Sequence, residues 1–516
     1  MMMLSNIMNE NIKEFDEYDF LYFGNRTYTN IEVDRLSTIF SNYLLSEVEN
    51  SGDKVIVYLA NCPEVIISYQ AILKAGKVVV PVMYALNAKE IQYIIEDSNV
   101  NTIITSNALL ENIVKVAEKT GKKLNVIVTD NIENDAAEGS VNIHELEKIY
   151  NHSKSQNREE LNISEDDLAV ILYTSGTTGQ PKGVMLTHRN LYISAQSAAR
   201  LMKAEMWKKP TLVALPLAHS FGFTAMNTYL FLGSSVVIIE RFNADEIFKA
   251  VEKHKIRTFT AVPAMIYGMV MNPNIDSYDL SSLEGVLSSS APLPLALMEA
   301  FTKKTGTEVW QGYGLSEASP VVSTQWRGAT IKPGSVGLPI DIVRVKIIND
   351  EGEELPRNEV GELAVKGLNV TPGYYQLEEE TAKTIVDGWL RTGDLARIDE
   401  DGDIFIVDRK KDIIIRGGLN IFPRDSEEII MTHPDVLEVA VIGVPDEEMG
   451  ERVVAYVVKR PESVITELNV ISHSQEHLAK YKTPQEVVFV DQLPRNGVGK
   501  ILKRKISELY QNKVMN

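Results

Sequence analysis

The chain has 516 residues, 44% of them apolar and 24% charged, with a formal net charge of −19. That length calls for two or three domains, that balance is globular rather than disordered, and that charge disfavours a duplex nucleic acid as partner. A single cysteine, Cys62, excludes an internal disulfide framework and fits a reducing compartment; its thiol reads as structural rather than nucleophilic.

The N-terminus carries early acidic residues and no basic segment followed by an apolar core. No apolar run approaches the length of a membrane span. A soluble, cytoplasmic protein without integral membrane association is therefore expected. From residue 54 the pattern alternates: strand 54–59, helix 63–75, strand 77–82, helix 88–97, strand 100–105. Strands alternating with helices indicate βαβ units and a parallel sheet. Tyr69 and Gln70 on the first helix read as packing. Residues 130–160, polar and acidic, read as a surface connection.

Residues 168–173 are apolar and β-prone, a buried strand running into a loop. That loop, Thr174 to Gly183, holds hydroxyls, glycines and Lys182. Glycines let backbone N–H groups turn toward one point, which suits a polyphosphate. It is not a Walker A loop, since no Gly-Lys-Ser/Thr closes it. A strand then ends at Pro216, followed by His219 among small residues and an apolar helix to Leu232. On its own, His219 reads as a satisfied core histidine. A second alternating block follows: strand 235–240, helix 244–254, and strands 258–262, 283–288 and 307–313.

After the last of these, Gly312-Tyr313-Gly314 sets an aromatic face on a bent backbone, and Glu317 lies just beyond. The tyrosine suits stacking on a base, and the carboxylate suits Mg²⁺. Alone, the pair reads equally as a core aromatic and a surface acid. From about residue 330 to 408 a small antiparallel sheet or barrel is expected, with hairpin turns at 349–352 and 400–403. The acidic run at 398–404 lacks calcium-loop spacing. From Asp412 a separate α+β domain of about 100 residues follows, with strands near 437–444, 453–458 and 486–490 and a helix near 464–478. Gly497 and Gly499 make the tail segment mobile and leave Lys500 at its tip.

The run Tyr173-Thr-Ser-Gly-Thr-Thr-Gly-Gln-Pro-Lys-Gly183 resembles the signature loop of the adenylate-forming superfamily, which holds acyl-CoA synthetases, adenylation domains and beetle luciferases. The other motifs resemble it in order, through Leu493-Pro-Arg-Asn-Gly-Val-Gly-Lys500-Ile-Leu. The resemblance implies an α/β fold. A large N-terminal domain, residues 1–408, has parallel-rich sheets flanked by helices and a small β-barrel-like subdomain at 330–408. A hinge at 409–411 centred on Lys411 leads to a small mobile α+β lid, 412–516.

The resemblance also implies roles. Thr174, Ser175, Gly176, Thr177, Thr178, Gly179 and Lys182 would hold ATP phosphates, with Thr174 and Glu317 on Mg²⁺. Ser290, Ala291, Gly312, Tyr313, Gly314 and Ser316 would surround the nucleotide, the tyrosine meeting adenine. Asp394 and Arg409 would take the ribose. Lys500 would be the catalytic lysine, with His219 and Lys182 assisting. His219, Phe221, Ser289 and Gly314 would border the acyl site, and Gly417 and Gly418 the path of coenzyme A.

Three departures from the family pattern stand out. Ser316 replaces a threonine and keeps the hydroxyl. Asp425 and Ser426 alter a helix entry. Ser289 and Ser290 stand where glycine is usual, which narrows the slot or makes it more polar.

The expected activity is an AMP-forming acyl-CoA synthetase using ATP, Mg²⁺ and coenzyme A, acting on a medium- or long-chain fatty acid. Between Pro216 and Leu232 no Asp or Glu is available to hold a substrate ammonium, which disfavours amino acids. Alternatives are a ligase loading an acyl carrier protein, a ligase for an aryl or short branched acid, and a retired fold that only binds nucleotide. Lys500, Glu317 and Asp394, all present, argue against the last.

Overall fold

Val- and Ile-rich runs flanked by helices form the centre of the largest sheet. The structure, a computed structural model, describes residues 2–47, 53–132, 140–152, 161–175, 180–326, 330–496 and 499–515. Strand β1 (Lys54–Leu59) leads through helix α1 (Pro63–Lys74) to β2 (Val78–Met83). Then come β3 (Thr102–Thr105), β4 (Leu124–Val128), β5 (Val141–Glu145), β6 (Leu168–Ser175) and β7 (Pro181–Thr187). The order across the sheet is Gly373–Tyr374, β7, β6, β2, β1, β3, β4, β5. The pairs from β6 to β5 are parallel. β1 is buried along nearly its whole length, as a parallel strand covered on both faces must be.

Two expectations change here. Residues 130–160 are not simply a connection, because β5 and the helix Leu146–His152 lie within them. β5 is an edge strand, half-exposed along most of its length, so it lacks the apolar run that reveals a central strand. Within the loop expected at Thr174–Gly183, residues 174–175 and 181–183 are paired strand, and 176–179 lie outside the described residues. β6 and β7 stay paired as far as Thr174↔Lys182 and Ser175↔Pro181. Glycines and hydroxyls read locally as loop, but the partner strand supplies the ladder.

A second sheet sets β8 (Thr258–Ala261), β9 (Gly285–Ser288) and β10 (Glu308–Gly314) in parallel, with β11 (Val321–Thr324) and Leu338–Pro339 antiparallel beyond them. A four-stranded sheet places Thr211–Val213 and Val236–Ile238 beside the N-terminal hairpin Asp19–Phe23 and Arg26–Thr29. Helix α2 (Ser220–Leu232) is buried on nearly every side, and α3 (Pro263–Val270) follows β8 in the chain.

The small antiparallel sheet forms as expected: β12 (Val343–Ile348), β13 (Gly361–Gly367) and β14 (Trp389–Ile398), with Ile385–Val386 and β15 (Ile404–Arg409) both on β14. Its acidic turn is neutralised from outside. Lys332 Nζ lies 2.6, 2.6 and 3.2 Å from Asp399, Asp401 and Asp403. Helix α4 (Glu378–Thr384) lies between Gly373–Tyr374 and β14.

The last sheet holds the hairpin Ile414–Arg416 and Leu419–Ile421, then β16 (Val436–Asp446), β17 (Gly450–Lys459) and β18 (Glu486–Phe489). Gly417 and Gly418 turn the hairpin with φ of +57° and +79°, the doubly left-handed geometry that glycine adopts without cost. Helices α5 (Pro423–Met431), α6 (Glu467–His477) and a C-terminal one, Lys503–Met515, cover the sheet. The two departures at the start of α5 are both used. Asp425 pairs with Lys482 at 2.6 Å, and buried Ser426 donates to the Lys482 carbonyl at 2.9 Å. Among the described residues no helix is long and apolar enough to cross a membrane.

Candidate active site

The β6–β7 hairpin carries the first group of candidate residues. Thr174 Oγ1 lies 3.5 Å from the Lys182 carbonyl across the ladder. Gly176, Thr177, Thr178 and Gly179 lie outside the described residues, as does the side chain of Ser175. The Ser316–Ala318 turn packs on β7 and is tied there by Thr371. The Thr371 amide donates to the Glu317 carbonyl at 2.8 Å, and its hydroxyl donates to the Met185 carbonyl of β7. Tyr374, paired with Val184, donates its hydroxyl to Glu317 Oε1 at 2.9 Å. Glu317 is thereby held beside the hairpin that bears Thr174 and Lys182. A carboxylate beside hydroxyl oxygens is a donor set that fits a hard divalent cation. Lys182 is closed against Glu380 of α4, with its ammonium 5.4 Å from the Tyr374 ring centroid.

The second group lies where β10 meets β14 and β15. Gly314 closes the approach to the next strand, since a Cβ there would come within 2.1 Å of the Pro320 carbonyl oxygen. Tyr313 donates its hydroxyl to Asp394 Oδ2. Burial, and then the Asp394 charge, push the phenol well above its usual range, so it stays a donor. Asp394 Oδ1 faces Arg409 Nε at 3.3 Å, because the two residues are register partners on β14 and β15. The Asp394 amide donates to Thr392 Oγ1 at 3.1 Å. Gly312, on the same strand, is half-buried.

Lys500 reaches this group from the C-terminal region. Its backbone is held in a hydrogen-bonded turn rather than a free tip. The Lys500 amide donates to Asn496 Oδ1, and the Asn496 amide to the Lys500 carbonyl, both at 2.9 Å. Gly497 lies outside the described residues. Burial pushes the Lys500 ammonium down to about 8, reinforced by Arg409 and Lys411 and opposed by Asp394 and Asp412. Lys411, in the turn Lys410–Asp412, is also pushed down, by burial and then by Arg409. Three cations, Lys500, Arg409 and Lys411, thus gather around Asp394 and Asp412, an excess of positive charge that suits phosphate.

His219 caps α2. Its Nδ1 accepts from the Phe221 amide at 3.3 Å, which leaves the ring proton on Nε2. Crowding by protein, with Lys500 nearby, pushes His219 down to about 4, so the ring is neutral at pH 7. Ser316 Oγ donates to Ser220 Oγ at 3.2 Å, joining the start of α2 to the turn that carries Glu317.

One helical turn beyond His219, a narrow cavity of about 10 Å³ lies between α1 and α2. Ile66, Tyr69, Leu73, Phe223, Met226 and Leu230 form its apolar walls, and Gln70 and Asn227 are its polar members. Tyr69 and Phe223 are its aromatics, while Phe221 is buried in the core cluster beside the second sheet. At the end of β9, Ser290 takes φ +73°, a left-handed conformation that disfavours any residue with a Cβ. The Ser289 amide donates to the Ala261 carbonyl at 3.2 Å, and Ala291 is half-buried. The Gly417–Gly418 turn is elsewhere, its Gly417 amide donating to the Met449 carbonyl at 2.8 Å.

The structure therefore joins Tyr313, Asp394, Arg409, Lys411, Lys500 and His219 in one neighbourhood, and Thr174, Lys182 and Glu317 in an adjoining one. Gly417 and Gly418 belong to neither. Sequence reasoning passed over Thr371, Tyr374 and Glu380, which orient Glu317 and Lys182. They lie in a short segment, 371–380, whose only signal is a pair of tyrosines before an acidic run.

A family model described as AMP-binding enzyme matches residues 8–375, and one described as AMP-binding enzyme C-terminal domain matches residues 425–500. The long-chain-fatty-acid–CoA ligase of Bacillus subtilis strain 168 is 35% identical over 530 residues, 98% of this chain and 94% of that one. Among solved structures, ATP-bound MatB from Rhodopseudomonas palustris is similar with a TM-score of 0.89 at 30% identity, covering 98% of this chain and 99% of that one. The O-succinylbenzoate coenzyme A synthetase of Bacillus subtilis, in complex with ATP and magnesium ion, gives 0.84 at 28% identity, covering 97% and 98%.

Proposed function

The chain belongs to the AMP-binding enzymes, as an acid–thiol ligase of the adenylate-forming superfamily, and from that premise we propose that it makes an acyl-CoA through an acyl-AMP. The observation that carries this reading is the convergence of Lys500, Arg409 and Asp394 beside neutral His219. A carboxylate oxygen attacks the α-phosphorus of ATP, and the bond to pyrophosphate breaks. The sulfur of coenzyme A then attacks the acyl carbon, and AMP leaves with the electrons of the broken C–O bond. In the first step two anions must meet, so fixed cations and oriented donors have to offset their repulsion.

In this reading Lys182, the hairpin tip and Lys500 meet the phosphates, and Tyr313, Asp394 and Arg409 hold adenosine. Mg²⁺ would sit on Glu317 and Thr174, and when bound it supplies positive charge to phosphate oxygens. Residues 1–408 act as the body, and 412–516 turn about Lys411. That turn withdraws Lys500 after adenylation and brings Gly417–Gly418 to the site for coenzyme A. Use of ATP and coenzyme A supports a cytoplasmic location.

The acid we propose is a medium- or long-chain fatty acid. The lack of an acidic residue from Pro216 to Leu232 and the likeness to the Bacillus subtilis fatty-acid ligase support it. A second reading, an aryl or short branched acid, is favoured by Ser289 and Ser290. Pyrophosphate release across a panel of carboxylic acids separates the two, run without acceptor, with coenzyme A and with an acyl carrier protein. A fatty acid should give the highest kcat/KM, and thioester should form with coenzyme A. If no acid releases pyrophosphate, the ligase reading fails. If the carrier protein alone accepts the acyl group, coenzyme A is the wrong acceptor.

A further inference from the structure

Far from the nucleotide site, three histidines gather where α5 ends beside α6. His433, His473 and His477 follow one another with ring centroids 5.1 and 5.0 Å apart. On the last turns of α6, His473, Glu476 and His477 share one face, as residues three and four apart do on a helix. Each offers a ligand atom, and these atoms all lie within 4.8 Å of one another.

Both helix histidines have one ring nitrogen already fixed. His473 Nε2 lies 3.1 Å from the Ile429 carbonyl and 2.9 Å from Thr432 Oγ1. His477 Nδ1 lies 3.0 Å from the His473 carbonyl. A carbonyl only accepts, so in the neutral rings those nitrogens carry the protons. Nδ1 of His473 and Nε2 of His477 keep their lone pairs. An imidazole anchored through one N–H to a carbonyl is the usual second contact of a metal-binding histidine, fixing both tautomer and ring orientation. His433 differs, since its Nδ1 accepts from the Asp435 amide at 3.2 Å. It packs edge-on against His473 as a neighbour rather than a ligand.

We propose that His473, Glu476 and His477 form a binding site for a divalent transition ion of the zinc class. Two imidazoles and one carboxylate select zinc, nickel or copper over magnesium. Tetrahedral zinc at about 2.1 Å from each donor sets the donors roughly 3.4 Å apart, so donors now within 4.8 Å of one another must close by up to about 1.4 Å. Exposed Glu476 is free to do so, while His473 and His477 stay anchored through their carbonyl contacts. The fourth position is left to solvent. Because His473 is bonded to the Ile429 carbonyl in the last turn of α5, a bound ion clamps the end of α6 to that of α5. The site is independent of the Glu317 oxygens, and no step of the proposed reaction depends on it.

The test is calorimetric titration of the full chain with zinc in excess Mg²⁺, which occupies the hard-ion site. One equivalent should bind to the wild type, and zinc should raise its melting temperature. His477→Ala and Glu476→Gln, both at exposed positions, should each weaken that equivalent, the histidine change by on the order of tenfold or more. Both variants should melt like the wild type without zinc. Absence of a zinc equivalent in the wild type overturns the assignment. So does an equivalent that either variant leaves at full affinity.

Discussion

Tyr313 and Asp394, 81 positions apart in the chain, are hydrogen bonded to each other, the phenol donating to one carboxylate oxygen while Arg409 faces the other at 3.3 Å. The residue proposed for adenine thus orients the residue proposed for ribose. Tyr313→Phe keeps the ring and removes only the donor. A hydrogen bond to a charged group contributes about 1.5–3 kcal/mol, so kcat/KM for ATP should fall by roughly tenfold or more. Asp394→Asn should cost more, since it also leaves Arg409 without its counter-charge. Pyrophosphate release at varied ATP measures both. An unchanged Tyr313→Phe enzyme would show that the bond does not position Asp394.

That pairing also marks how far the sequence could be read. Tyr313, Glu317, Asp394 and Lys500 were legible because each sits in a short run of glycines and hydroxyls that few other structures require. Their convergence was legible only through resemblance, because contacts between β10, β14 and the Lys500 turn leave no periodic trace. The partners of the phosphate hairpin were not legible. Tyr374 and Glu380 lie in a segment without motif, and their roles come from Gly373–Tyr374 pairing with β7. The strand ends at 174–175 and 181–183 read as loop in the sequence, since local composition hides a ladder that a neighbouring strand completes. Ser290 was noted as unusual, but its left-handed backbone is a property of the fold.

The Lys500 charge should appear in the pH dependence of adenylation. Its ammonium is pushed down to about 8 by burial and the neighbouring Arg409, while His219, down at about 4, stays neutral throughout the working range. In the free enzyme the cation is lost as pH rises through about 8, so kcat/KM for ATP should decline above it. Bound phosphates favour the ammonium, so kcat should hold to higher pH. Lys500→Ala should lose the high-pH decline, and should lose adenylation far more than thioester formation from supplied acyl-AMP. The same shift affects stability with the opposite sign. The folded value lies below the unfolded 10.5, so the unfolded chain binds more protons between about 8 and 10.5, and this group's contribution to stability rises with pH there.

Ser290→Gly should stabilise the protein. At φ +73° a Cβ costs about 1 kcal/mol or more, and glycine removes that cost while adding a smaller unfolded-state entropy penalty. The expected gain is a few tenths to about 1 kcal/mol in chemical denaturation. If the hydroxymethyl group also narrows the acyl slot, the variant should accept bulkier acids in the pyrophosphate panel. A loss of stability would mean that the serine side chain makes a compensating contact.

Arg424 of α5 ties the C-terminal region to β15. Its Nη1 donates to the Ile406 carbonyl at 2.6 Å, and its amide to Asp408 Oδ2 at 3.0 Å, both on β15. Its remaining bond, to Glu428 at 2.8 Å, stays within α5. Rotation about Lys411 would leave the Glu428 bond intact and separate Arg424 from Ile406, so the β15 contacts favour the state with Lys500 at the nucleotide site. Arg424→Ala removes the side-chain contact of about 1 kcal/mol, which shifts a two-state balance by roughly fivefold. The adenylation step should slow by about that factor, and transfer from supplied acyl-AMP to coenzyme A should be unchanged or faster. Single-turnover measurement of the two half-reactions resolves them. Equal slowing of both would mean that Arg424 supports the fold of α5 rather than the position of the lid.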